Sequence, residues 1–455
     1  MLRNIAVLLL LAGCAVPEQS GDTSRQNSTE KTEADYTAMK TFSGPVKTQL
    51  NRSNSETARD FLDLTFSLET GRELPVMTRF DTPITVRLNG ATPPAGRQEL
   101  SRLIKRLRTE AQIDIRQVDA SAPAAVSIET LPRKDLQRHL PDAACFVVPR
   151  VSSWEEYRRN RRSNITDWAT LETRTKAAIF IPSDVSPQEF RDCLHEELAQ
   201  AIGPLNDLYR LSDSVFNDDN FHTILTGFDM LVLRAYYSPE LASGMTRGDV
   251  EARLPALLKR INPAGGSVTP LTAQTTPDSW KKAIETAMSA NRPRQNRLAG
   301  ASKALQIAQN NGWTDSRRAF SLYAYGRMII ASDAEEALQA FVSSQLMYKN
   351  LGNAEIQQAH VGMQLAAFAL TDGNPDFALS IVNSYLPAVR AEENAALLAT
   401  LLLLKAEALD AIGRASEARA TRLDSYGWAR YGFGDDAVIK RRQKEIAQLN
   451  RPPRI

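Results

Sequence analysis

The hydrophobic pattern of this chain changes its period once, between residues 270 and 280, and that change constrains the fold most strongly. Before it, apolar residues that alternate with polar ones at 84–88 and a short apolar run at 177–181 predict strands, and apolar residues at helical spacing between them predict helices. After it, only the helical spacing remains. The pattern therefore predicts an α+β domain over residues 55–270 and an all-α domain over residues 280–455.

The N-terminus has the three-part pattern of a secretory signal. Arg3 precedes an apolar run at 5–11, and small residues follow at positions 12 and 13. The run Leu-Ala-Gly-Cys at 11–14 resembles the lipobox of bacterial lipoproteins. This resemblance implies a signal peptide over 1–13 and acylation of Cys14. An ordinary signal peptide with an accidental cysteine is the alternative.

The segment after the signal predicts how the chain is attached. Residues 14–54 are polar and lack apolar periodicity, so we expect the lipidated cysteine to be followed by a disordered tether. Acyl chains hold a protein stably at a membrane when at least two are present. Ala15 rather than Asp after the lipid site implies the outer membrane. We therefore expect a lipid-anchored protein of the bacterial cell envelope, facing the periplasm.

The charge balance narrows the class of partner. Lys and Arg number 55 against 53 Asp and Glu, which gives a net charge of only +2. Nucleic-acid binders usually carry a clear basic excess, so nucleic acid is not expected as a partner. The chain has only four histidines, so a metal site with several imidazole ligands is not expected.

The helical region contains a recurring loop-plus-helix signature. Its three copies end in Ala337, Ala378 and Ala418, with spacings of 41 and 40 residues. This pattern resembles a tetratricopeptide array, in which stacked helical hairpins form a protein-binding surface. The resemblance implies periplasmic or envelope proteins as partners. An irregular bundle of antiparallel hairpins is the alternative.

The densest group of functional side chains lies between residues 193 and 207. His195 and the following glutamate begin like a zinc-protease His-Glu-x-x-His motif, but Ala199 stands where the second histidine is required. Two histidines four residues apart place two ligands on one helical face. The motif in this frame therefore fails, and His195 is not expected to be a ligand.

A frame shifted by one residue gives another pattern. Glu196-Glu197-x-x-Gln200-x-x-Gly203-x-x-Asn206 has the spacing of the metzincin signature His-Glu-x-x-His-x-x-Gly-x-x-His. Glu197 takes the place of the general base and Gly203 that of the glycine at the turn. Glu196, Gln200 and Asn206 replace the three zinc-binding histidines.

The oxygen donors of this frame leave the cofactor undecided. Together with the adjacent Asp207 they would suit Ca²⁺, Mg²⁺ or Mn²⁺ better than zinc, or form a hydrogen-bonded remnant without a metal. No cofactor is favoured. The plainer interpretation is that Glu196, Glu197 and Gln200 form a solvated helix face. That face lies opposite Leu194, Leu198 and Ile202.

The same segment resembles a bacterial domain-of-unknown-function family, number 2927. Its pattern continues here with Ser-x-Phe-Asn-Asp at 214–218, Thr-x-x-Asp ending at Asp229, and a segment ending in Gly-Met at Met245. The resemblance covers at most residues 55–270. It implies a metzincin-like mixed sheet with helices, distantly related to zinc metallopeptidases, with Met245 echoing the methionine turn.

Two cysteines remain once Cys14 is lipidated. Cys145 begins the strand predicted at 145–148, and Cys193 lies at the start of the motif helix. Thiols in an oxidising compartment usually pair, so we expect a Cys145–Cys193 disulfide.

Three functions remain open from the sequence. The leading hypothesis is an envelope lipoprotein that presents a degenerate metallopeptidase-like domain and a protein-binding helical array. The second is an active metal-dependent hydrolase of the periplasm with Glu197 as general base. The third is a structural tether without a small-molecule site. Whether the chain is an enzyme stays open, and the missing histidines favour the first hypothesis.

Overall fold

The computed structural model describes residues 38–44, 46, 50, 52–141, 143–269 and 274–449. The predicted signal peptide, Cys14 and most of the predicted tether lie outside the described residues. The chain divides into two compact units. We call Pro45–Ala273 the N-terminal unit, and we call Gln274–Ile455 together with the described segment 38–44 the helical unit.

The N-terminal unit is built on a five-stranded mixed sheet. Its strands are β1 (Ile84–Asn89), β2 (Ile115–Gln117), β3 (Val126–Leu131), β4 (Phe146–Pro149) and β5 (Ala177–Pro182). Their spatial order is β2-β1-β3-β5-β4. The first four strands in that order are parallel, and β4 pairs antiparallel with β5 at one edge.

Seven α-helices accompany this sheet within the described residues. They are α1 (Asn54–Thr65), α2 (Gly96–Thr109), α3 (Arg133–Gln137), α4 (Trp154–Asn160), α5 (Pro187–Ile202), α6 (Gly227–Tyr236) and α7 (Arg247–Ile261). The larger apolar core packs α1, α2, α5, α6 and α7 around one face of the sheet. A smaller aromatic core around Tyr157 and Phe180 covers the other face.

The burial of the strands follows their apolar patterns. The alternation of Ile84, Val86 and Leu88 with polar residues matches the alternating burial of β1. All six residues of β5 are buried, because helices and loops cover the sheet on both faces. An α/β region followed by a helical region confirms the predicted order of fold classes.

The described part of the helical unit contains nine α-helices and no strand. The helices are α8 (Asp278–Met288), α9 (Arg294–Asn310), α10 (Ser316–Ile329), α11 (Ala334–Leu351), α12 (Glu355–Thr371), α13 (Pro375–Ala391), α14 (Ala395–Ala411), α15 (Ala415–Gly432) and α16 (Asp436–Ala447). Each helix packs against the next one in the chain, and alternate helices such as α12 and α14 also touch.

The alanines of the recurring signature lie in the helix contacts of this unit. Ala337, Ala378 and Ala418 are fully buried. A small side chain at such a position lets two helix backbones approach closely, so the signature residues have a packing role. A helical region with repeated hairpins is therefore present in the structure.

The segment 38–44 departs from the predicted disordered tether. The Lys40 amide donates to the Gly427 carbonyl oxygen (3.0 Å), and the Lys40 ammonium pairs with Asp424. The Phe42 ring stacks on Trp428 with centroids 4.5 Å apart. These contacts supply the apolar and ionic partners that the polar sequence of the segment does not reveal, and they attach it to α15.

Candidate functional site

The candidate site is built on α5, which begins shortly after β5 ends. The Ser186 hydroxyl accepts the amide of Glu189, and Pro187 occupies the first helical position, as the sequence predicts. Most side chains of α5 are buried, including Glu197 and Gln200. The interpretation of these polar residues as a solvated helix face is therefore wrong, because they face protein rather than water.

Two side chains hold the C-terminal end of α5. The Arg174 guanidinium donates to the carbonyl oxygens of Gln200 (2.8 Å) and Ala201 (2.9 Å), and the Tyr237 hydroxyl donates to that of Ile202 (2.7 Å). The last carbonyls of a helix lack intrahelical partners, and a cation there also opposes the negative end of the helix dipole. The end of the motif helix is thus fixed from outside the helix.

Gly203 follows the last residue of α5, and a side chain does not fit at this position. A Cβ atom at this position would lie 2.5 Å from Leu233 Cδ2 and 2.9 Å from the Ala199 carbonyl oxygen. The glycine therefore permits the close approach of Leu233, on α6, to the end of α5. This is the physical basis for the glycine in the shifted frame.

The side chain of Gln200 connects two carboxylates. Its Nε2 lies 3.2 Å from Glu69 Oε1 and 3.4 Å from Asp207 Oδ2. Asp207 and Glu69 also hydrogen-bond to each other. A hydrogen bond between two carboxyl groups needs a proton on one of them, which agrees with the raised pKa of Asp207.

Asn206 is fixed by α1. Its Nδ2 donates to the Asp63 carbonyl oxygen at 2.9 Å. The Asp63 carboxylate accepts from Arg210 (2.8 Å) and Arg247 (2.8 Å), and Arg210 also reaches the fully buried Asp60 (2.7 Å). This ionic network joins α1, α7 and the loop after α5, and through the Asp63 carbonyl oxygen it fixes Asn206.

Five carboxylates surround the end of α5, and we call Glu69, Glu196, Glu197, Asp207 and Asp218 the carboxylate cluster. Glu69 and Asp218 are exposed, Glu196 is half-buried, and Glu197 and Asp207 are buried. The cluster therefore leads from solvent into the protein. The sequence pattern predicts three of its members as site residues and misses Glu69 as a partner, because Glu69 lies in a turn far earlier in the chain and belongs to no motif.

Burial and like charge disfavour ionisation in this cluster. Burial, followed by repulsion from Asp218 and Glu69, raises the pKa of Glu196 to about 8. Burial and the neighbouring Glu196 and Glu69 raise the pKa of Glu197 well above its usual range. The pKa of Asp207 is raised well above its usual range by burial and by Asp218 and Glu69. The neighbouring side-chain charges that shift Glu196 and Glu197 are all negative.

Three buried oxygens of the site have no hydrogen-bond donor. They are Glu197 Oε2, Asn206 Oδ1 and Asp207 Oδ1. Their residues are only 4, 6 and 5% exposed, respectively. A buried acceptor without a donor costs about 1–3 kcal/mol, and more if it is charged. The site is therefore arranged to accept hydrogen bonds or positive charge that the described residues do not supply.

The residues of the shifted frame do not fit a zinc ion of the metzincin type. Glu196, Gln200 and Asn206 offer oxygen atoms, whereas zinc sites in proteins usually include nitrogen or sulfur ligands. Moreover, among the described residues no three His, Cys, Asp or Glu side chains lie close enough together to hold a metal ion.

His195 is directed away from the carboxylate cluster. Its Nδ1 accepts the Leu225 amide at 3.0 Å, so the ring holds the chain just before α6. Burial, together with Arg106 and Arg191, keeps the pKa of His195 well below its usual range. The ring is neutral and has a structural role.

Asp229 is likewise a structural residue. Its carboxylate accepts the amides of Val215 (3.1 Å) and Thr226 (2.8 Å) and the hydroxyl of Ser214. It thereby caps α6 and holds the long loop that follows Asp207. The Ser-x-Phe-Asn-Asp and Thr-x-x-Asp motifs meet at this carboxylate, which explains their spacing.

Met245 lies on the segment between α6 and α7. Its carbonyl oxygen accepts the Met77 amide at 2.9 Å, and its half-buried side chain packs against the core. These contacts give it a packing role in the N-terminal unit.

The predicted Cys145–Cys193 disulfide is confirmed. The two Cα atoms lie 6.0 Å apart, and the bridge joins the residue before β4 to the middle of α5. The motif helix is thus linked covalently to the antiparallel edge of the sheet.

Fold and site together define a mixed α/β unit with a half-buried carboxylate cluster, joined to a series of helical hairpins. Residues 54–256 match the model of a family described as "Protein of unknown function (DUF2927)". The match supports the resemblance predicted from the motifs after Cys193, and it lies within the N-terminal unit. No curated protein and no solved structure matches this chain.

Proposed function

We propose that this chain is a bacterial cell-envelope lipoprotein with two binding units. In this proposal the N-terminal unit is a metallopeptidase-like domain that binds a partner without cleaving it. The helical unit is a tetratricopeptide-like array that binds a periplasmic or envelope protein.

The hydrogen bonds of Gln200 carry the proposal for the N-terminal unit. Gln200 occupies the central ligand position of the shifted frame, yet its amide is engaged by Glu69 and Asp207. The imidazole of His195 accepts a hydrogen bond from the Leu225 amide. A mixed sheet followed directly by the motif helix agrees with a metzincin-like fold, while the side chains favour binding over zinc catalysis.

A metal-dependent hydrolase is the second candidate, and one observation favours it. Glu197 Oε2 is buried and has no hydrogen-bond donor, and burial raises the pKa of this carboxyl. Burial shifts the pKa of this carboxyl upward, which is the direction in which enzymes tune a glutamate that acts as a general base and acid. Glu197 would hold that role.

Cleavage of peptides separates these two functions. The tag-free full chain and its Glu197→Gln variant are incubated with a mixed peptide library, with Zn²⁺ or Mn²⁺ added, and the products are followed by mass spectrometry. We expect no product that depends on Glu197. A product formed by the wild-type chain and reduced about 10²-fold or more by Glu197→Gln would contradict the binding role.

The lipid anchor is a separate part of the proposal and rests on the run 11–14. The described residues include no helix that is both long and apolar enough to cross a membrane. We expect Cys14→Ser to abolish partition of the protein into detergent and to remove the acyl groups from its mass. An acylated Cys14→Ser protein would contradict the lipobox, while Ala15→Ser, at the neighbouring position, serves as the control.

A further inference from the structure

We propose that the carboxylate cluster binds the guanidinium group of an arginine side chain presented by a polypeptide partner. This inference rests on the binding role proposed above and names the chemistry that the N-terminal unit recognises.

Among the described residues, the charged neighbours that shift the pKa values of Glu196, Glu197 and Asp207 are all negative. Glu197 Oε2 and Asp207 Oδ1 are buried without a donor, although their neighbours are other carboxylates. The neutral Asn206 Oδ1 is also without a donor. An ionised carboxylate and an amide oxygen accept hydrogen bonds only, and a bound cation favours the ionised forms of Glu197 and Asp207. A ligand that satisfies all three oxygens therefore donates several N–H groups and carries positive charge.

The spacing of the carboxylates favours an organic cation over a metal ion. A metal ion needs its oxygen ligands within about 2.0–2.6 Å of a single point. No three acidic side chains of the described residues converge in that way. A guanidinium group is planar and presents five N–H donors in different directions, so it bonds acceptors that are spread over several ångströms. An ammonium group has only three donors around one atom.

The exposure of the cluster suits a side chain that enters from solvent. Glu69 and Asp218 are exposed at the entrance, Glu196 is half-buried, and Glu197 and Asp207 are buried deeper. Negative charge at the entrance attracts a cationic group before contact. The long flexible stem of an arginine then lets its head reach the buried oxygens while its main chain stays outside.

The acceptors are held in place before any ligand arrives. Gln200 bonds both Glu69 and Asp207, and Asn206 is held by the Asp63 carbonyl oxygen. Arg174 fixes the helix end from which these side chains project. Recognition on a rigid framework loses less entropy on binding, which favours one geometry of cation.

A matched pair of peptides tests this inference. The probes are acetylated and amidated hexapeptide libraries that share a central arginine or, in the second library, citrulline, its neutral isostere. Binding to the full chain in detergent is measured by affinity selection and then by calorimetry on the best arginine peptide. We expect the citrulline form of that peptide to bind at least about tenfold more weakly, since it lacks the positive charge.

Three variants of the protein complete the test. Glu197→Gln and Asp207→Asn keep the shape of the site. Each should lower the affinity for the arginine peptide at least about tenfold. Glu251→Gln changes an exposed glutamate of α7 and should leave the affinity unchanged. Thermal unfolding shows whether the variants fold, and removal of a repelled carboxylate should leave the melting temperature at or above that of the wild type.

Three results would overturn the inference. They are equal binding of the arginine and citrulline peptides, unchanged affinity in both folded variants, and binding of Ca²⁺, Mn²⁺ or Zn²⁺ alone that the same variants abolish. None of these results involves cleavage, so the binding role of the unit would stand. Cleavage of the arginine peptide that depends on Glu197 would instead refute the binding role and leave arginine recognition intact.

Discussion

Ionisation of the carboxylate cluster opposes the folded state of the N-terminal unit. Burial and neighbouring carboxylates raise the pKa of Glu196 to about 8, against a usual value near 4.5. A carboxyl group whose pKa is higher in the folded chain stabilises the fold below the unfolded pKa and loses that contribution as pH rises through the folded pKa. The cluster therefore makes the unit more stable in mild acid than in mild base.

This linkage gives a pH prediction. Between about pH 4.5 and 8 the free energy of unfolding should fall by up to about 1.4 kcal/mol per pH unit for each such carboxyl. Glu196→Gln should flatten this dependence, because it removes one titrating group and the repulsion on Glu197. Thermal unfolding at several pH values measures the effect, with Glu251→Gln as control. An unchanged slope in Glu196→Gln would contradict the proposed origin.

At the residue scale, the motif spacing predicts which residues on and after α5 are candidates, but it does not predict which residues pack against them. Glu196, Glu197, Gln200, Asn206 and Asp207 share one segment, so their spacing alone brings them together. Glu69 and Asp63 reach the site only through packing of α1 and the following turn. A lone glutamate in a polar turn carries no spacing signal, and no local pattern could have selected it.

At the scale of elements, the end of α5 depends on a distant arginine. Arg174 is fully surrounded by protein and donates to two carbonyl oxygens of α5, while its guanidinium lies 5.0 Å from the centre of the Trp168 ring. No helix-capping pattern in the sequence of α5 indicates this contact. The sequence thus predicts where the helix begins, through Ser186 and Pro187, better than what holds its end.

Loss of this contact should destabilise the unit. Arg174→Met keeps much of the apolar stem but leaves two buried carbonyls without donors, so we expect a loss of about 3 kcal/mol in the free energy of unfolding. Arg72→Met removes an exposed ion pair with Asp167 and should cost less than about 1 kcal/mol. Urea unfolding measures the free energy of unfolding of both variants and of the wild type. Equal losses in the two variants would show that the buried contact contributes no more to the free energy of unfolding than the exposed ion pair does.

The helical hairpins depend on small residues in their contacts. Ala378 is fully buried on α13, whereas Ala420 is exposed on α15. Ala378→Leu should overpack the contact and cost about 1–3 kcal/mol, while Ala420→Leu should change stability by less than about 0.5 kcal/mol. Urea unfolding followed by the helical circular-dichroism signal measures both. A neutral Ala378→Leu variant would mean that the helices at this point are loosely packed.

At the scale of the whole molecule, the change of hydrophobic period predicted the order of the two fold classes. It did not predict that residues 38–44 join the helical unit. The contact of Phe42 with Trp428 is made between residues almost 400 positions apart, and a single aromatic residue in a polar segment has no periodicity. Composition describes the average of the segment, whereas its attachment to α15 depends on two of its residues, Lys40 and Phe42.

Removal of the Phe42 ring tests this attachment. Phe42→Ala should lower the free energy of unfolding of the helical unit by about 1 kcal/mol, or its melting temperature by about 3 °C, because the ring loses its stacking on Trp428. Amide hydrogen exchange in α15 should become faster. Thr41→Ala, at an exposed neighbouring position, is the control. Unchanged exchange in α15 would contradict a stabilising role of the segment.

The attachment of segment 38–44 also decides how the molecule carries mechanical load. The chain enters the helical unit at α15, leaves it to form the N-terminal unit, and returns at residue 274. A pull applied to the chain before residue 38, such as a membrane anchor at Cys14 would exert, passes through Lys40 and Phe42, whose contacts tie this segment to α15. While these contacts hold, the segments on both sides of the N-terminal unit belong to the helical unit, so the tension passes into α15 before it reaches the N-terminal unit.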